Sequence, residues 1–210
     1  MAPRCLIALA LVLFACGCGS SGGSKPKGSG AQRVELGPSF DTIASLPGAQ
    51  RSGPPWNSGA AKLQQRLKAI GLAPLPVEGN VVHIHQHLDI YVNGRHVTVP
   101  ALIGIDPGHF FSPLHTHDTS GILHVESPTE SAFSLGQFFA VWGVPLSARR
   151  IGTLATAGGA QLRSWVNGRP LGADPTRIVL APHQEIVIAY GTAAQMPKKV
   201  PSSYTFPEGL

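Results

Sequence analysis

Cysteine is absent from this chain beyond position 18: Cys5, Cys16 and Cys18 are its three copies, so no disulfide pair is left for a folded domain downstream. Methionine is nearly as scarce, with Met196 the one copy after Met1. A blue-copper centre and a Met-rich Cu(I) site are therefore both disfavoured. Acidic residues number 11 in 210, too sparse for the carboxylate cage that calcium prefers. The net charge of +5 is spread thinly, with no Lys/Arg cluster and no interleaved aromatics, which leaves nucleic-acid binding without support. Diffuse positive charge suits an anionic membrane or cell wall instead. The apolar run Leu6 to Phe14 is too short to cross a bilayer.

Behind Arg4 and ahead of Ala15 and Gly17, that run reads as a secretory signal. Its tail, Phe14-Ala15-Cys16-Gly17-Cys18-Gly19-Ser20-Ser21, resembles the lipobox of bacterial lipoproteins, in which cleavage precedes a cysteine that is then lipidated. Cys18 is the first choice for that cysteine and Cys16 the second. The expected organisation is a signal over 1–18, a tether and irregular lead-in over 19–56, one His-rich β domain over 57–192, and an irregular tail over 193–210. Gly19 to Gly30 is nearly all Gly and Ser and cannot bury enough apolar surface to offset its ordering entropy.

Asn57-Ser58 predict the cap of a helix over Ala60 to Ile70, with Leu63, Leu67 and Ile70 on one face and Gly71 as its stop. Ser134 or Ser131 predicts the cap of a second, very apolar helix, Leu135 to Trp142. Ile178-Val179-Leu180 and Glu185 to Tyr190 read as closing strands. The fold class is mainly β, with one or two short helices on an antiparallel sandwich, a barrel or a β-grasp-like sheet.

All but one of the nine histidines lie between His83 and His124, and several are two residues apart. Side chains at i, i+2 and i+4 of a strand share a face, so this spacing stacks imidazoles in rows. Val82, Ile84, Leu88 and Ile90 alternate with His83, His85, His87 and Asp89 up to the hairpin signal Asn93-Gly94. A two-residue turn there pairs Val92 with Arg95, Tyr91 with His96, Ile90 with Val97, Asp89 with Thr98 and Leu88 with Val99. The histidines then occupy the face opposite the apolar one.

A second ribbon, turning at Thr119-Ser120, sets His117 opposite Ile122 and His115 opposite His124. Opposed Cβ atoms lie about 4.5–5.5 Å apart, a gap that a metal with imidazole ligands can bridge. His115, His117 and His124 are thus candidate ligands, with Glu126 or Asp118 as a fourth ligand or as the acceptor that orients a ring. His85 and His87 complete or double the site, and His83 and Asp89 are supplementary candidates. His96, His109 and His183 read as ordinary surface or hydrogen-bonded residues. An imidazole-dominated site suits Zn(II), Cu(II), Ni(II) or Fe(II), and in an extracytoplasmic lipoprotein zinc and copper come first.

The stretches His83-Ile84-His85-Gln86-His87-Leu88-Asp89-Ile90-Tyr91-Val92-Asn93-Gly94 and Leu114-His115-Thr116-His117-Asp118-Thr119-Ser120-Gly121-Ile122-Leu123-His124-Val125-Glu126-Ser127-Pro128 resemble a family of uncharacterised exported proteins of bacteria and archaea. The resemblance runs from about Val81 to Gly191 and implies no activity. Three functions remain open. One is a lipid-anchored protein that captures, buffers or delivers zinc or copper. Another is a metal-dependent enzyme, cupin-like through His115-x-His117 and Glu126, or superoxide-dismutase-like through Gly108-His109-Phe110-Phe111-Ser112-Pro113. The last is a metal-free interaction domain of the cell envelope. Each enzyme likeness is incomplete: Glu126 is distant for a cupin motif, and the paired cysteines of the dismutase are missing.

Overall fold

Alternation of apolar and polar residues from Val82 to Val92 produces one long strand, and the rest of the sheet assembles on it. The computed structural model describes Met1 and residues 37–210; the signal, Cys16, Cys18 and the tether up to residue 36 lie outside the described residues. In chain order the first elements are α1 (Phe40–Ser45), α2 (Leu63–Ala69), β1 (Val82–Val92), β2 (Arg95–Val97), β3 (Ile105–Asp106) and β4 (Phe110–Phe111). Then come β5 (Leu114–His115), β6 (Ile122–Ser127), α3 (Leu135–Trp142), β7 (Leu146–Ser147), β8 (Arg150–Ile151) and β9 (Leu154–Ala155). The last strands are β10 (Gln161–Val166), β11 (Arg169–Leu171) and β12 (Glu185–Gly191). The fold is mainly β, as expected, with short helices.

The principal sheet has seven strands in the order β11-β10-β12-β1-β6-β5, with β2 also paired to β1. All its pairings are antiparallel except β1 with β12, which run parallel with His87 beside Glu185. Both Asn-Gly turns take left-handed backbone at their asparagines, Asn93 at φ 52° and Asn167 at φ 51°, matching the twist of the strands they join. Val92 pairs with Arg95, Tyr91 with His96 and Ile90 with Val97. The expected pairings Asp89–Thr98 and Leu88–Val99 do not form, because the Leu88 N–H donates to the Gly121 carbonyl at 2.9 Å and β6 takes over that edge.

The apolar face of β1 (Leu88, Ile90, Val92) packs in one core with Leu123 and Val125 of β6, Ile186 and Ile188 of β12, and α3. Ser134 caps α3 with a capping box: its hydroxyl accepts the Gln137 N–H at 3.2 Å, and Gln137 Oε1 accepts the Ser134 N–H at 2.8 Å. Phe138, Phe139 and Trp142 are fully buried. Each such side chain contributes roughly 1.5–3 kcal/mol relative to an exposed one.

Three expectations are corrected. The helix expected over Ala60 to Ile70, α2, begins at Leu63, and Asn57-Ser58 do not cap it. Asn57 is held elsewhere: its Oδ1 accepts the Gly59 N–H, and its carbonyl accepts the Trp142 indole N–H at 2.6 Å. Residues 37–56, expected to be an irregular lead-in, contain α1 and bury Ile43, Leu46 and Trp56, so they belong with the domain. Ile178-Val179-Leu180 is not a strand; a single bridge, Val179 to Ser134, joins it to the start of α3. The C-terminal tail is irregular, yet it packs on the sheet, where the Tyr204 ring stacks on His87 with centroids 3.9 Å apart.

Candidate metal centre

Three adjacent strands place imidazoles side by side. His85 of β1 lies opposite His124 of β6, which lies opposite His115 of β5. One step along the same face, His83 lies opposite Glu126. His117, two residues past His115, brings its Nε2 within 3.1 Å of the His115 Nε2. The donor atoms of His115, His117, His124 and Glu126 all lie within 4.8 Å of one another, as do those of His83, His85 and Glu126. Ligands at 2.0–2.1 Å from a tetrahedral cation are separated by about 3.3 Å. The observed separations bracket that spacing, with Glu126 Oε1 at 3.0 Å from His124 Nδ1, 3.5 Å from His83 Nε2 and 3.8 Å from His115 Nε2.

The protonation states suit a cation. His115 is fully buried, and its Nδ1–H donates to the Ser112 carbonyl at 2.9 Å. That carbonyl only accepts, so the lone pair is left on Nε2, facing His117. Two ring nitrogens 3.1 Å apart require a proton or a cation between them. Burial pushes the His115 imidazole down to about 4, outweighing the Glu126 charge and the Ser112 carbonyl. Burial likewise pushes His85 down to about 4, helped by His124 and His83. Both rings are therefore neutral near pH 7, the form that ligates. For Glu126, burial acts upward, but the His124 hydrogen bond and the charges of His115, His124 and His83 hold its carboxyl below the ordinary range.

Two buried atoms in this cluster lack any hydrogen-bond partner, His85 Nε2 and Glu126 Oε2. A buried unsatisfied polar atom costs roughly 1–3 kcal/mol, and a cation coordinated by His85 would satisfy the first.

His87 is not brought to this cluster. Its Nδ1 is 2.8 Å from Glu185 Oε2, and its Nε2–H donates to the Ser120 carbonyl at 2.9 Å. Burial acts to lower its pKa, but the Glu185 hydrogen bond and charge, with Asp89 and the Ser120 carbonyl, raise it overall. Both ring nitrogens of His87 are thus already engaged, one by a carboxylate and one by a carbonyl. Gly121 permits this arrangement: at φ 88°, a Cβ there would fall 2.8 Å from the Leu88 carbonyl oxygen and 2.9 Å from His87 Nε2.

The donors of His87, Asp89 and Glu185 form a third close group, although Asp89 also accepts from His96 at 3.0 Å. Asp118 lies outside all three groups, its Oδ1 accepting the Ser120 N–H at 2.8 Å in the turn. His109 pairs with Asp106 at the surface, and His183 contacts the Leu210 carbonyl.

Two acidic residues escaped the sequence reading. Glu185 heads the apolar strand β12, and a charge at the start of a buried run is the signal that could have flagged it. Glu78 lies in a loop with no periodicity to mark it, yet its Oε1 is 3.2 Å from His117 Nε2 and 3.8 Å from His115 Nε2. Gly79 pins that loop, since a Cβ there would fall 2.2 Å from the Ser127 carbonyl carbon.

Comparisons with protein-family models, curated proteins and solved structures found no match to this chain. The donor atoms themselves therefore carry the functional argument.

Proposed function

We propose that the chain is an exported, lipid-anchored protein that captures, buffers or delivers a first-row transition ion, zinc or copper(II), at the cell surface. The observation that carries the reading is the convergence of His115, His117, His124 and Glu126 donors within 4.8 Å. Three imidazoles and a carboxylate are a donor set that zinc and copper(II) both accept. Anchoring through Cys18 or Cys16 is supported by the lipobox-like tail alone.

The test is metal analysis of the protein purified without a polyhistidine tag and exposed to zinc or copper(II). Wild type should retain stoichiometric metal after desalting, and the His115→Ala, His117→Ala variant should lose it. Metal-free wild type, or full retention in a folded double variant, would overturn the reading.

One observation favours a catalytic use of the same donors: the His117 side chain is 42% exposed, so one side of the cluster opens to solvent. A catalytic site keeps a water-held position. Azide should then shift the visible spectrum of the copper-loaded protein, and an unchanged spectrum supports closed storage.

A further inference from the structure

We propose that the centre is dinuclear, with Glu126 shared between the cation held by His115, His117 and His124 and a second cation held by His83 and His85. The inference rests on the metal-binding reading above and adds a second site to it.

Donor geometry argues against a single cation taking all six groups. Ligands on opposite sides of one ion lie no more than about 4.2 Å apart, twice a bond of 2.0–2.1 Å. The six residues instead fall into two close sets that have only Glu126 in common. The strand register explains the sharing. Glu126 lies beside His124 along β6 and directly across from His83 on β1, so a single carboxylate faces both groups. Its Oε1 is 3.0 Å from His124 Nδ1 on one side, and 3.5 Å and 4.0 Å from the Nε2 atoms of His83 and His85 on the other.

The unpartnered atoms give independent support. The His85 ring is 5% exposed, Glu126 is 2% exposed, and His85 Nε2 and Glu126 Oε2 have no hydrogen-bond partner. The first set can be filled through Glu126 Oε1 and still leave both of these atoms unsatisfied. A cation between His83, His85 and Glu126 satisfies His85 Nε2, and it is reached by the same Glu126 Oε1 that faces the first set. A carboxylate has about four lone-pair positions and can serve two ions. Each set has one ring that reaches solvent, His117 at 42% exposed in the first and His83 at 50% in the second. The second site is the weaker, more readily exchanged one, because among the described residues it has three donors against four in the first, and solvent completes it.

The experiment is a copper(II) titration of the whole, metal-stripped protein, read by equilibrium dialysis and electron paramagnetic resonance. Two equivalents should bind, the second more weakly because it enters beside a bound dication. At the second equivalent, the signal should broaden and lose intensity through coupling of the two ions.

His83→Ala changes a half-exposed ring and should leave the fold intact. It should reduce binding to one equivalent with an isolated-ion signal, and lower affinity for the second by at least about 100-fold. His85→Ala should do the same. Glu126→Gln should weaken both sites. A single equivalent in wild type that is unaffected by His83→Ala overturns the dinuclear centre and leaves the one-site reading standing. Two equivalents with independent signals overturn the shared carboxylate. No bound copper at all overturns both proposals.

Discussion

Acidification of the metal-free protein should remove stability over a window that the buried imidazoles define. His115 and His85 are each held at about 4 when folded, against an ordinary value of 6.5 when unfolded. Between those values the unfolded chain binds more protons than the folded one, so stability is full above pH 6.5 and falls as pH drops toward 4. At 1.36 kcal/mol per unit, each ring costs about 2 kcal/mol by pH 5, and the pair about 4 kcal/mol. That is a large share of the roughly 5–15 kcal/mol that holds a domain folded.

The other shifted groups do not cancel the effect. His87 is raised, so its contribution is complete below pH 6.5 and fades only as pH rises through its folded value. Glu126 is lowered, so it adds to the loss only near and below its ordinary 4.5. Urea unfolding in the presence of a chelator, followed by the fluorescence of buried Trp56 and Trp142, measures the slope directly. A His85→Gln, His115→Gln variant should flatten it between pH 7 and 5. A wild-type stability that is level over this range, or a variant as steep as wild type, would refute the assignment of buried neutral rings.

Saturation with zinc at 100 times its Kd should stabilise the protein by about 2.7 kcal/mol, a rise in Tm of about 5–11 °C; a scan unchanged by zinc excludes binding to the folded state. Glu185→Gln removes the carboxylate that pairs with the buried His87 ring, which costs about 1–3 kcal/mol. Because the His87 pKa is raised, that deficit should be largest near pH 6 and shrink above it, and equal urea midpoints at pH 6 would contradict the pairing. Gly121→Ala forces a side chain into left-handed backbone against His87 and should cost about 1–3 kcal/mol. Two-dimensional NMR should show the His87 ring displaced, and an unperturbed His87 resonance would argue against the contact.

Local rules made much of this architecture legible. Period-2 alternation located β1, Asn93-Gly94 marked its hairpin, and α3 starts at Leu135 as expected, with Ser134 rather than Ser131 as its cap. The pairing of His115 with His124 was readable, but the expected pair His117–Ile122 does not form: β5 ends at His115, a loop over 116–121 follows, and Ile122 pairs with His87 instead. The start of α2 was misjudged because Asn57 serves a distant tryptophan rather than the helix next to it. α1 went unseen, since six residues carry too little periodicity to register.

The sequence by itself determined that imidazoles would share one face of a ribbon, because the two-residue repeat of a strand follows from backbone geometry. Only the tertiary structure decided which of them meet. The pairing of β1 with β6 set His85 beside His124, and the parallel pairing with β12 drew His87 away to Glu185, 98 residues along the chain. Contacts across such separations depend on how the whole sheet orders its strands. No local pattern in the chain encodes that order.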